Sequence, residues 1–383
     1  MRLTPRSRRC WIVLGVLALA FVFGAWWINR ELEPRRLTAI VLGQLGTSLK
    51  LDLRFDGQPD YALRPEPRLL IPNLVATDPG NGQVILRTER LEVSLPWATI
   101  TGGYPVITRI DLRKPQLDLP ALQHWLASLP KTPFKLPTLT RGLRIEQGHV
   151  QADGWQLSAV DLTLPRLKQN EAAKADLAFH FLQGKTATSF AGTMRIASAA
   201  PSSDFQLEGK GDLEHAPKPL AYTIALAGHY LSDDSAFHVD ARSLRLQGDS
   251  PLPTLTAKGS LAIGATLSLA LQGELAQWPK DWPALPAPLN EAKGPLPIQL
   301  AYSGKPDLSD LLTLDAALGE SRFHSSLRLP QMQTWLADNH AAPLPPLNGT
   351  LVAPRLNIDG IELKGVSVEI EDDPPATAAS TKP

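Results

Sequence analysis

The chain has 383 residues, with 38 basic and 38 acidic side chains and hence a formal net charge of zero. This balance argues against a nucleic-acid-binding protein, which needs a basic face. The single cysteine, Cys10, leaves the chain without an internal disulfide, and 35 prolines with 27 glycines favour short strands and turns over a helical fold.

Residues 11–28 form an apolar stretch, WIVLGVLALAFVFGAWWI, that contains neither a charge nor a proline. As a helix it would measure roughly 27 Å, close to the hydrocarbon thickness of a bilayer. Residues 1–10 carry arginines and no acidic residue, which predicts a basic tail in the cytoplasm. Trp11 opens the stretch, and Trp26 and Trp27 lie where an aromatic belt would meet the far interface. The sequence therefore predicts a single-pass signal anchor, with everything after it outside the cytoplasm.

A cleaved signal peptide is the alternative interpretation of the same stretch. Ala18-Leu19-Ala20 provides an A-x-A cleavage site. The apolar run continues beyond this site as far as the tryptophan pair, which is long for the apolar region of a signal peptide. The length therefore favours an uncleaved anchor.

The segment from Pro34 to Leu49 follows the anchor and changes the pattern. Leu37, Ile40 and Leu45 recur in it at helical spacing, which predicts a short amphipathic helix. This helix would lie at the membrane surface, pack as a cap on the first strands, or do both.

From Leu49 to Glu371, apolar and polar residues alternate with period two, as in Leu91-Glu92-Val93-Ser94-Leu95. Such alternation is typical of half-buried strands. The recurring segments, separated by turns such as Asp78-Pro79-Gly80-Asn81-Gly82, predict about 18 to 20 strands. Short helices are predicted at Pro120–Leu129, Leu308–Leu312 and Gln331–Ala337.

No pattern of catalytic or metal-binding residues stands out. The eight histidines are scattered and form no H-E-x-x-H motif, and no G-x-S-x-G elbow is present. Gly184-Lys185-Thr186 lacks the earlier glycine of a phosphate-binding loop, because Phe179 occupies that position. We therefore predict no enzyme, no cofactor and no metal.

Two segments resemble the AsmA-like family of bacterial envelope proteins. The first comprises residues 1–129, where the anchor and a short helix lead into LKLDLRF and then RTERLEVSLPWATITGGYPVITRIDLRKPQLDLP. The second, residues 347–371, is similar to the family's C-terminal repeat. The resemblance implies a chorein-like N-terminal end and a bacterial inner-membrane protein whose bulk is periplasmic. The implied fold is mostly β: an N-terminal transmembrane helix, then an elongated, curled antiparallel β-sheet with an apolar groove and a few short helices.

The implied function is lipid transport toward the outer membrane, or outer membrane biogenesis and homeostasis. The expected partners are membrane lipids and an envelope protein. A protein partner is expected because about twenty strands at 4.8 Å spacing give only on the order of 95 Å of groove, which is too short to cross a periplasm alone. A structural or scaffolding component of an envelope machine, such as the N component of a type II secretion system, is the alternative. Side chains in a common phase predict the lipid-facing groove: Leu91, Val93, Leu95, Ile110, Leu112, Phe179, Phe181, Leu269 and Leu271. Arg90, Glu92, Arg109 and Asp111 are expected on the outside.

The predicted organisation has five parts. They are a cytoplasmic basic tail at 1–10, the anchor at 11–28, a chorein-like N-terminal β region with the amphipathic helix at 29–129, a periplasmic β-groove region at 130–371 and a disordered tail at 372–383. Proline-rich breaks at 130–137, 279–297 and 342–347 interrupt the strands.

Overall fold

A computed structural model describes residues 42–43, 46–47, 50–62, 66–96, 107–129, 138–184, 186–214, 218–233, 236–264, 266–280, 294–337, 346–358 and 361–371. The described part is mostly β, as predicted, and its 20 strands agree with the predicted number. No helix in these ranges is both long and apolar enough to cross a bilayer. The predicted anchor at 11–28 and the predicted tail at 372–383 lie outside the described residues.

The chain divides into two compact units, residues 1–115 and 116–383. The strands of the first unit are β1 (Asp52–Phe55), β2 (Asp60–Ala62), β3 (Arg68–Thr77), β4 (Val84–Ser94) and β5 (Arg109–Arg113). β3 pairs with β1, β2 and β4, and β4 pairs with β5, all in antiparallel orientation.

The core of the first unit lies on one face of β3 and β4. Leu69 and Ile71 of β3 and Leu91 and Val93 of β4 are buried there, together with Leu42. Residues 42–43 and 46–47 are helical. Leu42 therefore packs helical backbone onto the first strands, in agreement with the capping role expected for this segment.

The predicted turn between β3 and β4 is confirmed. Asp78 accepts a hydrogen bond from the Gly80 amide at its Oδ1 atom (2.8 Å), and its carbonyl accepts one from the Gly82 amide (2.8 Å). Gly82 has a φ of +74°, which costs glycine little because it has no Cβ. The side chain of Asp78 is 4% exposed, so its carboxylate satisfies the turn's backbone from inside.

The second unit begins with a parallel crossover. Strand β6 (Gln116–Asp118) leads into helix α1 (Leu119–Ser128), and β7 (Gly142–Ala152) then pairs with β6 in parallel. A parallel pair needs such a crossover, so the expectation of a wholly antiparallel sheet is wrong at this point. Asp118 caps α1 by accepting the Ala121 amide at 2.8 Å, which confirms the predicted helix.

The remaining strands pair in chain order as an antiparallel meander from β7 to β20. They are β8 (Trp155–Leu164), β9 (Ala173–Gln183), β10 (Thr186–Ile196), β11 (Ser202–Leu213), β12 (Leu220–Ser232), β13 (Phe237–Gly248), β14 (Leu255–Ile263), β15 (Leu267–Leu275), β16 (Leu296–Gly304), β17 (Leu311–Leu318), β18 (Ser321–Arg328), β19 (Leu347–Ile358) and β20 (Ile361–Ile370). Helix α2 (Leu329–Ala337) follows β18 and confirms the predicted helix at 331–337.

The helical turn predicted at Leu308–Leu312 is wrong. Leu308 has a φ of +60°, outside the right-handed helical region, and Leu311 already begins β17. Asp310 instead closes the turn before β17, because its Oδ2 atom accepts the Lys305 amide at 2.9 Å.

Candidate functional site: an apolar sheet face

Strand register places apolar side chains on one face of the sheet in the second unit. Residues paired across antiparallel strands point to the same side. Leu269 pairs with Leu261 on one side and with Tyr302 on the other. Leu271, two residues further along β15, pairs with Gly259 and Leu300.

This face is continuous over many strands. One column of paired residues crosses eight successive strands, β12 to β19: Tyr230, Val239, Leu261, Leu269, Tyr302, Leu312, Leu327 and Leu347. Phe181 of β9 belongs to the same face. Its register partner on β10 is Thr188, and Thr188 pairs with Leu213 of β11. Leu213 in turn pairs with Leu220 of β12, which lies on the same side of that strand as Tyr230. Phe179 lies two residues away on the same side of β9.

Protein atoms cover this face only partly. Along β15, Leu267, Leu269 and Leu271 are half-buried, and the intervening Ser268 and Ala270 are exposed. The same alternation of half-buried and exposed positions recurs along β9, β14 and β16. In a closed sandwich, a second sheet would bury the apolar row completely.

Helix α2 covers one part of the face. Tyr302, Leu312 and Leu327 are buried at this place, and Leu329 and Met332 of the helix pack against them. Leu269 and Leu300 contact the edge of this cluster and remain half-buried. The helix therefore closes the apolar column at β16 to β18.

Aromatic rings gather on the face at β8 to β10. The rings of Phe179 and Phe190 lie 5.2 Å apart between centroids, and those of Trp155 and Phe181 lie 6.0 Å apart. Phe190 rests against Gly209, where an added Cβ would approach its ring to 2.3 Å. Glycine is thus required beneath the ring, because any side chain would displace it.

Gly259 marks a close approach of backbone on the same face. A Cβ at this position of β14 would lie 2.0 Å from the carbonyl oxygen of Ala270 on β15. Glycine within a strand is typical of a bend or of a neighbouring backbone that comes unusually near. The neighbouring strand therefore leaves no room for a side chain at Gly259.

The structure divides the predicted groove residues between the two units. Leu91 and Val93 are 8% and 2% exposed in the core of the first unit. Leu95, Ile110 and Leu112 pack against the same core. The other four lie on the half-covered face of the second unit: Phe179, Phe181, Leu269 and Leu271. The first set is brought together in one core, whereas the four residues of the second set share a face but lie on β9 and β15, six strands apart.

The charged residues expected on the outside alternate with these core residues on β4 and β5. Arg90 and Glu92 form an ion pair at 2.9 Å, and Arg109 pairs with Asp111 at 2.8 Å. The register places Glu92 directly opposite Asp111. Each carboxylate therefore lies beside an arginine of its own strand, which offsets their mutual repulsion.

The polar face of the second unit carries a serine, a histidine and an aspartate in hydrogen-bond contact. His229 Nε2 lies 2.8 Å from Ser202 Oγ, and its Nδ1 lies 2.8 Å from Asp204 Oδ1. The second oxygen of Asp204 pairs with Arg242 at 3.1 Å. The hydrogen bonds from His229 and Arg242 hold the pKa of the Asp204 carboxyl below its usual value.

This arrangement differs from a hydrolytic triad in its surroundings. The acid of such a triad is buried and serves the histidine alone, whereas Asp204 has a 52% exposed side chain and also binds Arg242. Ser202 and Asp204 occupy alternate positions of β11, and His229 is the register partner of Asp204 on β12. We interpret the group as a cross-strand polar network.

The predicted set of groove residues omits several members of the apolar face. Phe190 lies in TATSFAGTMRI, where threonines and a glycine weaken the apolar alternation. Tyr222 lies over Gly211 and donates a hydrogen bond to the Ser189 carbonyl oxygen at 2.8 Å. A signal was present in the placement of glycines opposite aromatic residues, but it becomes interpretable only with the register.

Within the described ranges, no group of three or more histidine, cysteine, aspartate or glutamate side chains is arranged to hold a metal ion. The chain matches no protein-family model, no curated protein and no solved structure.

Proposed function

We propose that the apolar face of the second unit binds the acyl chains of membrane lipids, and that the protein is an AsmA-like component of lipid transfer or outer-membrane assembly. In this proposal residues 11–28 anchor the chain in the bacterial inner membrane and the bulk is periplasmic. An envelope protein would extend the lipid path. The role is binding and transfer, without catalysis.

The half-covered apolar face is the observation that carries the proposal. Apolar surface left in water costs about 25 cal/mol per Å². A row of only partly buried leucines across many strands is therefore stabilised when another molecule covers it. Contiguous exposed apolar surface of this kind marks an interaction site more often than a free surface. Helix α2 covers the column only at β16 to β18, where Leu329 and Met332 contact it.

The chemistry of the face favours acyl chains as the cover. Its side chains in β14 to β17 are mainly leucine, as in Leu261, Leu269, Leu300 and Leu314. A fixed protein partner would be expected to meet a mixture of aromatic anchors and polar groups. A surface on which flexible aliphatic side chains predominate, as between β14 and β17, suits mobile, chemically uniform chains.

Lipid analysis of the purified protein tests the proposal. The full chain is extracted in a mild detergent, exchanged into a lipid-free detergent and examined by native mass spectrometry. We expect bound phospholipid or another acyl-chain lipid that survives the exchange. Protein that carries no lipid under these conditions, and takes none up from vesicles, would favour the scaffolding role instead.

A further inference from the structure

The polar face of the second unit contains a trough that the proposed lipid-binding role does not use. It has a volume of about 810 Å³ and extends over strands β12 to β19. Four cationic side chains, from three arginines and one lysine, line it against two carboxylates. These side chains stand on the opposite side of the sheet from Leu271 and its neighbours.

Three of the cations in the trough have no carboxylate partner among the described residues. They are Arg245 on β13, Lys258 on β14 and Arg322 on β18, and all three are exposed. Two other cations on this face do have a carboxylate partner: Lys174 pairs with Asp176 at 3.7 Å and Arg195 with Glu208 at 3.5 Å.

The two carboxylates in the trough offset this charge only in part, because the three cations outnumber the two acids. One of the acids is Asp315, whose Oδ1 atom lies 2.6 Å from His324 Nδ1. Glu274 is the remaining acid. The floor between the cations carries Gln272 and Gln299, which are register partners on β15 and β16 and supply amide donors.

The spacing of the cations indicates the shape of the ligand. Lys258 and Arg322 are four strands apart, which corresponds to roughly 19 Å along the sheet. A single phosphate cannot contact both. A chain of linked negative groups can contact both and also accept hydrogen bonds from the glutamines between them.

We propose that this trough binds an extended polyanion, held by Arg245 and Lys258 at one end and Arg322 at the other. The polyanion is either a soluble chain of phosphate groups or the phosphorylated headgroups of anionic lipids. The site lies on the opposite side of the sheet from the proposed acyl-chain face, and a polyanion can bind there whether or not that face holds lipid.

The test uses the full chain in a detergent with neutral headgroups, with medium-chain inorganic polyphosphate as the probe and pyrophosphate as the short comparison. We expect polyphosphate to bind more tightly than pyrophosphate per phosphate group. Arg245→Glu with Lys258→Glu should weaken polyphosphate binding by about tenfold or more. Both positions are exposed, so the thermal unfolding midpoint should stay close to that of the wild type.

The matched control is Lys210→Glu with Lys218→Glu, which changes the net charge equally at exposed positions outside the trough. It should weaken binding by no more than about twofold. A parallel arm uses phosphatidylcholine vesicles with and without phosphatidylglycerol. Binding to the anionic vesicles with the same dependence on the variants assigns the anion to lipid headgroups, and binding to polyphosphate alone assigns it to a soluble chain. The proposal would be overturned if the two double variants lost polyphosphate affinity equally, or if pyrophosphate bound as tightly per phosphate group as polyphosphate. It would also be overturned if neither polyphosphate nor the anionic vesicles bound.

Discussion

Replacing Leu271 by aspartate tests directly whether lipid lies on the apolar face. Leu271 is half-buried on β15, beside Gly259 and Leu300. An aspartate there would point into the proposed lipid layer. Because the position is open, water can reach the carboxylate when lipid is absent.

The expected cost to folding is small. Full burial of a leucine side chain stabilises a protein by roughly 1.5–3 kcal/mol, so a partly buried one contributes about 1–2 kcal/mol. For a unit of this size, 1 kcal/mol lowers the unfolding midpoint by roughly 2–4 °C. Acyl-chain binding should suffer far more, since a carboxylate in contact with hydrocarbon lacks a partner.

Val93→Asp provides the contrast, because Val93 is 2% exposed in the closed core of the first unit. An unpaired carboxylate there costs on the order of several kcal/mol, a large part of the 5–15 kcal/mol that stabilises a typical domain. We expect this variant to lose folded protein, with or without lipid. Ala270→Asp is the matched control for Leu271, because Ala270 is its neighbour on the exposed face.

The assay measures the unfolding midpoint and the lipid recovered per protein for all three variants. We expect Leu271→Asp to keep its fold and lose most of its lipid, while Ala270→Asp keeps both. If Leu271→Asp retains as much lipid as the wild type, the lipid lies elsewhere and the assignment of this face is wrong.

Three further predictions concern the anchor, the close strand contact and the polar network. Intact-mass analysis of membrane-extracted protein should show that residues 11–28 remain attached, and a mass lacking them would establish a cleaved signal peptide. Gly259→Ala should destabilise the second unit by roughly 1–3 kcal/mol in a denaturant titration, because its Cβ would lie 2.0 Å from the Ala270 oxygen; an unchanged midpoint would contradict the close contact. His229→Ala should raise the pKa of Asp204, which His229 and Arg242 now hold low, as an NMR titration can measure. A carboxyl group whose pKa is lower in the folded protein than in the unfolded chain stabilises the fold at pH values above its unfolded-state pKa. This stabilisation disappears as the pH falls through the folded-state pKa. Because His229→Ala removes part of the lowering at Asp204, this variant should lose less stability than the wild type on acidification.

The period-two pattern predicted the strands and their apolar phase well. The sequence also predicted helices at Pro120–Leu129 and Gln331–Ala337, between the alternating segments, and both are present. It failed at Leu308–Leu312, where the backbone turns through a left-handed residue before β17. A single left-handed residue leaves no periodic signal, so only the structure reveals it.

The division into compact units is a feature that the sequence pattern does not show. The predicted regions change after residue 129 and stay a prediction, and the compact units divide between residues 115 and 116. Helix α1 therefore belongs with β7, to which its crossover leads. Proline-rich composition indicated where the chain is irregular, whereas the division follows from which strands the chain returns to pair with.

The candidate site shows the most general limit of prediction from this sequence. Alternation specifies which side chains share a face of the sheet, but it does not specify what covers that face. Val93 and Leu271 both occupy the apolar phase of an antiparallel strand. Val93 is buried in a cluster with Leu42 and side chains of the neighbouring strand β3, whereas Leu271 is only half-buried on its face. The same pattern thus produces a closed core in one unit and an unfilled apolar surface in the other. Function is expected where this cover is missing, since a surface that the chain leaves half-covered can be completed by another molecule.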